Sequence, residues 1–123
     1  MKIKVGFGFD VHKLQDGEPL WLGGTEIPSG KGAVGHSDAD VLIHAICDAL
    51  LGSVNLRDIG FHFPNTDPAY KGISSLRLLE KVCRMVYESG YSVNNIDSTI
   101  CLEEPKLSPH IGQMKKTLAS HTG

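Results

Sequence analysis

Between Lys2 and Phe9 every second residue is apolar (Ile3, Val5, Phe7, Phe9), and this period of two predicts a strand. Leu20–Ile27 reads as a hairpin turned by Gly23 and Gly24, and the Gly-rich stretch from Pro28 to Gly35 reads as a loop. The period then lengthens. Val41, Leu42, Ala45, Ile46, Ala49 and Leu50 recur at helical spacing, and Ser37 with Asp40 three residues later resembles a capping box at the helix start. Residues 52–72 carry Gly, Pro, Asn and Asp with little periodicity, which predicts a long loop or lid.

A second helix is predicted from Ser74 or Ser75 through Leu76, Leu79, Val82, Cys83 and Val86, stopped by Gly90. Tyr91–Leu102 reads as a further strand through Val93, Ile96 and Ile100. Pro109 opens a third helix whose face is Ile111, Met114 and Leu118. There is no repeat, linker or low-complexity segment. The alternation of strands and helices gives an α+β chain with a single domain over residues 1–123.

The chain has 123 residues, 41% of them hydrophobic, which is enough for one modest core. A net charge of −2 without a basic stripe argues against nucleic-acid binding as a main role and leaves small phosphorylated ligands open. Cys47, Cys83 and Cys101 are odd in number and far apart, so neither a disulfide framework nor a thiolate zinc site is expected, and buried free thiols are. The N-terminus runs directly into a strand pattern without the apolar core of a signal peptide, and no stretch has the length of a membrane span. A cytoplasmic protein is expected.

Candidate chemistry gathers in two short blocks. Asp10 and His12 end the first alternating run, and at i and i+2 their side chains share one face. His44 lies on the turn after Asp40 in the first predicted helix. One carboxylate and two imidazoles suit zinc, and three protein ligands leave a fourth tetrahedral position open, as a catalytic site requires. Taken alone, Asp-x-His is a common spacing, and a turn aspartate with a satisfied core histidine would explain it equally well.

Larger blocks decide between these readings. Gly8-Phe9-Asp10-Val11-His12 is followed by Gly35-His36-Ser37-Asp38-Ala39-Asp40-Val41, then Asp58-Ile59-Gly60 with Phe63-Pro64-Asn65-Thr66-Asp67, and last Glu104-Pro105-Lys106-Leu107-Ser108-Pro109-His110. In this order the blocks resemble the 2-C-methyl-D-erythritol 2,4-cyclodiphosphate synthase family over essentially the whole chain. The resemblance implies a mixed β-sheet with helices packed on one face. It also implies a homotrimer joined through the sheets, with active sites between subunits and no nucleic-acid or membrane partner.

The implied reaction belongs to non-mevalonate isoprenoid biosynthesis. The 2-phosphate of 4-diphosphocytidyl-2-C-methyl-D-erythritol 2-phosphate attacks the β-phosphorus of its own diphosphate, which releases CMP and closes the cyclic diphosphate. Folding an anion back on itself is work for metal ions and placed donors. By the same resemblance Asp10, His12 and His44 hold zinc, Asp10 and His12 also border the substrate, and His36 with Ser37 contacts phosphate at the helix start, His36 stabilising the transition state. Asp40 is expected to hold a ligand histidine, and Asp38 to be a first-turn charge favoured by the helix dipole.

Asp58, Ile59 and Gly60 match residues that meet the sugar, and Phe63, Pro64, Asn65, Thr66 and Asp67 match a loop near the methylerythritol phosphate, Asn65 standing where aspartate is more usual. Leu102, Glu103, Glu104, Pro105, Lys106, Leu107 and Ser108 match a cytosine pocket built largely from backbone groups. A magnesium or manganese ion on the diphosphate is implied as well. In the family its ligand is the glutamate of a later Thr-Thr-Glu segment, which together with a closing strand and a final helix has no counterpart here, so turnover by these 123 residues is expected to be weak. Two alternatives use the same residues: a zinc-dependent phosphohydrolase, and a silent family member that binds zinc and cytidine nucleotide.

Overall fold

Helix α1 (Val41–Ser53) is the element around which the others are placed, and Asp40 fixes its start. The Asp40 carboxylate accepts the Ile43 N–H at 3.0 Å as N-cap and also the N–H groups of Gly23 at 3.0 Å and Gly24 at 2.7 Å. One buried side chain thus ties the hairpin turn to the helix. The predicted cap, Ser37, lies three residues earlier and does not cap α1, because its hydroxyl is turned toward His44 and the Ala39 N–H.

The computed structural model describes residues 2–123. Its ladders are two antiparallel pairs: β2 (Leu20–Leu22) with β3 (Thr25–Ile27), and β1 (Leu14–Asp16) with β4 (Lys31–Ala33). The β2–β3 hairpin is the predicted one, with Gly23 and Gly24 at φ of +61° and +75°, values that suit glycine in a tight primed turn. Residues 52–72 are less bare than expected: α2 (Ile59–His62) is capped by Asp58, and a 3₁₀ turn at Pro68–Tyr70 is capped by Asp67. Helix α3 (Ser75–Glu88) starts at N-cap Ser74, and α4 (Ile111–Thr122) follows a 3₁₀ turn at Ser108–His110.

The core lies where α1, α3, α4 and the hairpin meet. Ile43, Ile46, Cys47 and Leu51 from α1 pack with Leu79 and Val82 from α3, Met114 from α4, and Leu20, Leu22 and Ile27 from the hairpin. On α3 the buried positions Leu78, Leu79, Val82 and Val86 follow the 3.6-residue period. Of the three thiols only Cys47 is buried; Cys83 is half-buried and Cys101 is exposed, contrary to the expectation of buried thiols throughout. No helix among the described residues is long and apolar enough to cross a membrane.

The two predicted strands at residues 2–9 and 91–102 run without regular ladder partners among the described residues, so the α+β class holds while no mixed sheet closes within the chain. The first segment is nevertheless seated firmly. A Cβ at Gly6 would lie inside the Ala49 carbonyl oxygen, and one at Gly8 inside that of Ala45, so the backbone lies flush on α1. Ile3, Val5, Phe7, Phe9 and Val11 consequently point the other way and are 71% to 88% exposed. Alternation therefore separates an inner face, which continues to Asp10 and His12, from an outer apolar row.

Candidate active site

Three donor atoms converge where the first segment passes α1. Asp10 Oδ2 lies 2.8 Å from His12 Nε2 and 3.4 Å from His44 Nδ1, and the two ring nitrogens are 3.3 Å apart. The other carboxylate oxygen, Oδ1, accepts the Val11 N–H at 2.9 Å and so sets the rotation of the Asp10 side chain. A tetrahedral ion with bonds of about 2.0–2.1 Å holds its ligands about 3.3 Å apart. The two separations from His44, 3.4 and 3.3 Å, match that spacing, Asp10 and His12 at 2.8 Å are drawn together by their hydrogen bond, and the arrangement is compatible with a divalent metal. His44 reaches the centre from α1, whereas Asp10 and His12 owe their common direction to the period of two.

The electrostatics fit the same reading. Burial pushes the Asp10 carboxyl up, but hydrogen bonds to His12 and His44 and the charges of both rings outweigh it and hold the group well below the usual 3.8. The hydrogen bond to Asp10 raises His12 above 6.5 despite its burial. The signs set a pH window for the metal-free chain. The lowered Asp10 contributes stability present above 3.8 and lost as pH falls through its folded value; the raised His12 contributes stability present below 6.5 and lost as pH rises through its folded value. In the presence of chelator, Asp10→Asn should therefore lower the melting temperature most between 3.8 and 6.5 and less at pH 9. A deficit independent of pH would refute the ion pair.

A cavity of about 320 Å³ opens beside these atoms. His36 and Ser37 border it from the loop before α1, Ile59 and Gly60 from α2, and Phe63 and Asn65 from the loop that follows. The loop is stitched to the site from both ends: His36 Nε2 donates to the Asp67 carbonyl at 3.1 Å, and the Gly72 N–H donates to the His36 carbonyl at 2.7 Å. Since a carbonyl only accepts, the His36 proton in this bond is on Nε2.

Other predicted residues lie elsewhere. Asp58, Pro64, Thr66 and Asp67 do not line the cavity; Asp58 accepts the Phe61 N–H at 3.1 Å and Asp67 the Ala69 N–H at 2.9 Å, each as a helix cap. None of Leu102–Ser108 borders the metal-ligand cluster, and Glu104, Pro105 and Lys106 instead line a separate cavity with Asp16, Ser29 and Lys31. The expected role of Asp40 is corrected. Its carboxylate is taken up by three backbone N–H groups and holds no ligand ring, and burial raises its pKa.

Sequence reasoning passed over Asp48, Tyr70 and Ile73, which line the same cavity. Asp48 was findable, since it stands four residues after His44 and so on the same helix face. Its carboxylate accepts the Ile59 N–H at 2.9 Å, and burial lifts its pKa. Tyr70 and Ile73 come from a stretch without periodicity and gave no local signal.

Known proteins share this arrangement of elements. The chain is similar, at 59% identity over 119 residues, to a 2-C-methyl-D-erythritol 2,4-cyclodiphosphate synthase of Cytophaga hutchinsonii, covering 97% of this chain and 75% of the relative. A synthase of the same name from Porphyromonas gingivalis is 60% identical over 116 residues, covering 94% and 72%. Among solved structures, a 2C-methyl-D-erythritol-2,4-cyclodiphosphate synthase in a CDP-bound form superposes with a TM-score of 0.83 at 37% identity, covering 97% of this chain and 79% of that one. The bifunctional IspDF of Campylobacter jejuni superposes with a TM-score of 0.93 at 38% identity, covering 98% of this chain and 33% of that one. The model of the YgbB family matches residues 3–123, and with relatives this similar at its side the chain is a member of the YgbB family.

Proposed function

We propose that the chain is a 2-C-methyl-D-erythritol 2,4-cyclodiphosphate synthase, a phosphorus–oxygen lyase of cytoplasmic non-mevalonate isoprenoid biosynthesis. It converts 4-diphosphocytidyl-2-C-methyl-D-erythritol 2-phosphate to the cyclic diphosphate with release of CMP. The observation that carries this reading is the convergence of Asp10, His12 and His44 beside a cavity bordered by His36 and Ser37. The names of the similar proteins agree with it.

Nucleophile and leaving group belong to one molecule, so the chain's task is to hold the substrate folded and to meet the charge that develops on the transferring phosphoryl group. Asp10, His12 and His44 would hold zinc, which would supply Lewis-acid chemistry there, and magnesium or manganese would be bound with the diphosphate. With Nε2 engaged by the Asp67 carbonyl, His36 is held in one orientation at the border of the cavity, where the phosphate is assigned. Ile59 and Gly60 line the wall assigned to the sugar, and Asn65 contributes an uncharged hydrogen-bonding side chain to the loop.

The nucleotide is assigned to Leu102–Ser108 of a neighbouring copy, since these residues do not border the metal-ligand cavity of their own chain. A homotrimer with sites between subunits follows, and the outward row of Ile3, Val5, Phe7, Phe9 and Val11 supports it as the surface to be covered. Sedimentation that returns only monomer at assay concentration removes this part.

The test of the reaction is a product balance. With the diphosphocytidyl substrate, zinc and magnesium, CMP and cyclic diphosphate are expected in equal amounts, whatever the rate. Inorganic phosphate in place of the cyclic product, or no CMP at saturating substrate, refutes the proposal.

A further inference from the structure

We propose that Ser75, anchored by Asp38, is the positioning residue that fixes the ring of His44 and directs its Nδ1 toward the metal; the proposal rests on reading Asp10, His12 and His44 as a metal centre. Ser75 is the first residue of α3, fully buried, yet the cap of that helix is its neighbour Ser74. A buried hydroxyl that does not cap needs another partner. Ser75 has two: its Oγ donates to Asp38 Oδ1 and lies 3.0 Å from His44 Nε2.

Counting protons sets the direction from Ser75 to Asp38 and makes Ser75 an acceptor toward His44. The Asp38 carboxylate accepts the N–H of Ser75 at 2.9 Å, the N–H of Asp40 at 3.1 Å and the Ser75 hydroxyl. The single Ser75 hydroxyl proton is therefore committed to Asp38. Facing His44, Ser75 Oγ acts only as an acceptor, which places the ring proton on Nε2. With Nε2 keeping its own proton, the proton that Nδ1 donates to Asp10 Oδ2 without metal is the one a metal displaces, and the freed Nδ1 lone pair, 3.4 Å from Asp10 Oδ2 and 3.3 Å from His12 Nε2, is aimed at the ion. The hydrogen-bond chain thus delivers the tautomer that a metal ligand needs.

Ser37 sits on the same nitrogen with a different task. Its Oγ is 3.0 Å from His44 Nε2 and accepts the Ala39 N–H at 3.3 Å, but no carboxylate stands behind it. Its own proton is uncommitted, and it borders the cavity. Orientation of the ring therefore falls mainly to Ser75, and the anchoring places the start of α3 in the support of a metal ligand on α1.

Two measurements on the full chain test this. In the metal-free protein, nitrogen-resolved NMR of the histidine rings should show His44 carrying a proton on Nε2, and Ser75→Ala should shift the ring toward the form protonated on Nδ1 alone, whereas Ser75→Thr restores it. Zinc affinity, read by competition with a chromophoric chelator, should fall about 10- to 100-fold in Ser75→Ala. It should fall less in Asp38→Asn, whose amide oxygen still accepts the hydroxyl, and less again in Ser37→Ala. Urea unfolding of each metal-free variant runs alongside, and Asp38→Asn and Ser75→Thr carry the comparison if Ser75→Ala does not fold. Wild-type His44 protonated on Nδ1 alone, unchanged zinc affinity in Ser75→Ala, or a larger loss in Ser37→Ala than in Ser75→Ala overturns the assignment. Unchanged affinity in His44→Ala overturns the metal reading beneath it, while the ring-proton measurement still reports on the hydrogen-bond chain by itself.

Discussion

Replacing His44 with alanine is expected to strip zinc from the purified chain and to lower the rate of cyclisation by about a thousandfold. The residue supplies one of only three donor atoms, and its removal leaves Asp10 and His12 as a two-ligand site on a single extended segment. Two ligands do not hold zinc against dilution, whereas wild type should carry about one ion per subunit. A Lewis acid contributes several kcal/mol to a phosphoryl transfer, which corresponds to about three decades in rate. His12→Ala should behave alike. Full zinc retention in both variants by elemental analysis would remove the site from consideration.

Gly8→Ala should do nearly as much damage from outside the ligand set. The added methyl group falls on the Ala45 carbonyl oxygen, a backbone atom of a capped helix that has no room to retreat. The segment must lift off α1, at a cost of about 3 kcal/mol. Asp10 and His12 lift with it, so zinc affinity should fall together with the unfolding midpoint. Gly30→Ala is the control, since a methyl group there meets nothing within 4 Å. Equal urea midpoints for the two variants would contradict the close packing.

The sequence made the metal ligands legible because each half of the site obeys a short-range rule: Asp10 and His12 share a face by the period of two, and His44 belongs to a helix whose apolar spacing is clear. The hairpin was legible from its paired glycines. The β1–β4 pair was not, because Leu14–Asp16 and Lys31–Ala33 are three residues each and include Asp, Lys and Gly, which carry no strand signal. Ser37 and Asp40 are both good helix caps, and the choice between them was made by partners distant in sequence: His44 engages the Ser37 hydroxyl, and the hairpin turn presents two amides to Asp40. Alternation at residues 2–9 indicates which side chains go inward, but not what bonds to the backbone edge. The Asp38–Ser75 contact spans 37 positions and leaves no local trace.

The first segment is written in two interleaved texts, one of Gly6, Gly8, Asp10 and His12 and one of Ile3, Val5, Phe7, Phe9 and Val11. Substitutions in the outer text leave the inner one in place, so a change in the apolar row alters the surface the segment presents and not the direction of its ligands. Length is another matter. One residue inserted between Gly8 and Asp10 transposes the two texts beyond it, sending both ligands outward and pressing Val11 toward the helix. Here the spacing between residues is as much a part of the metal centre as the residues themselves, and a change in count does more harm than a change in kind.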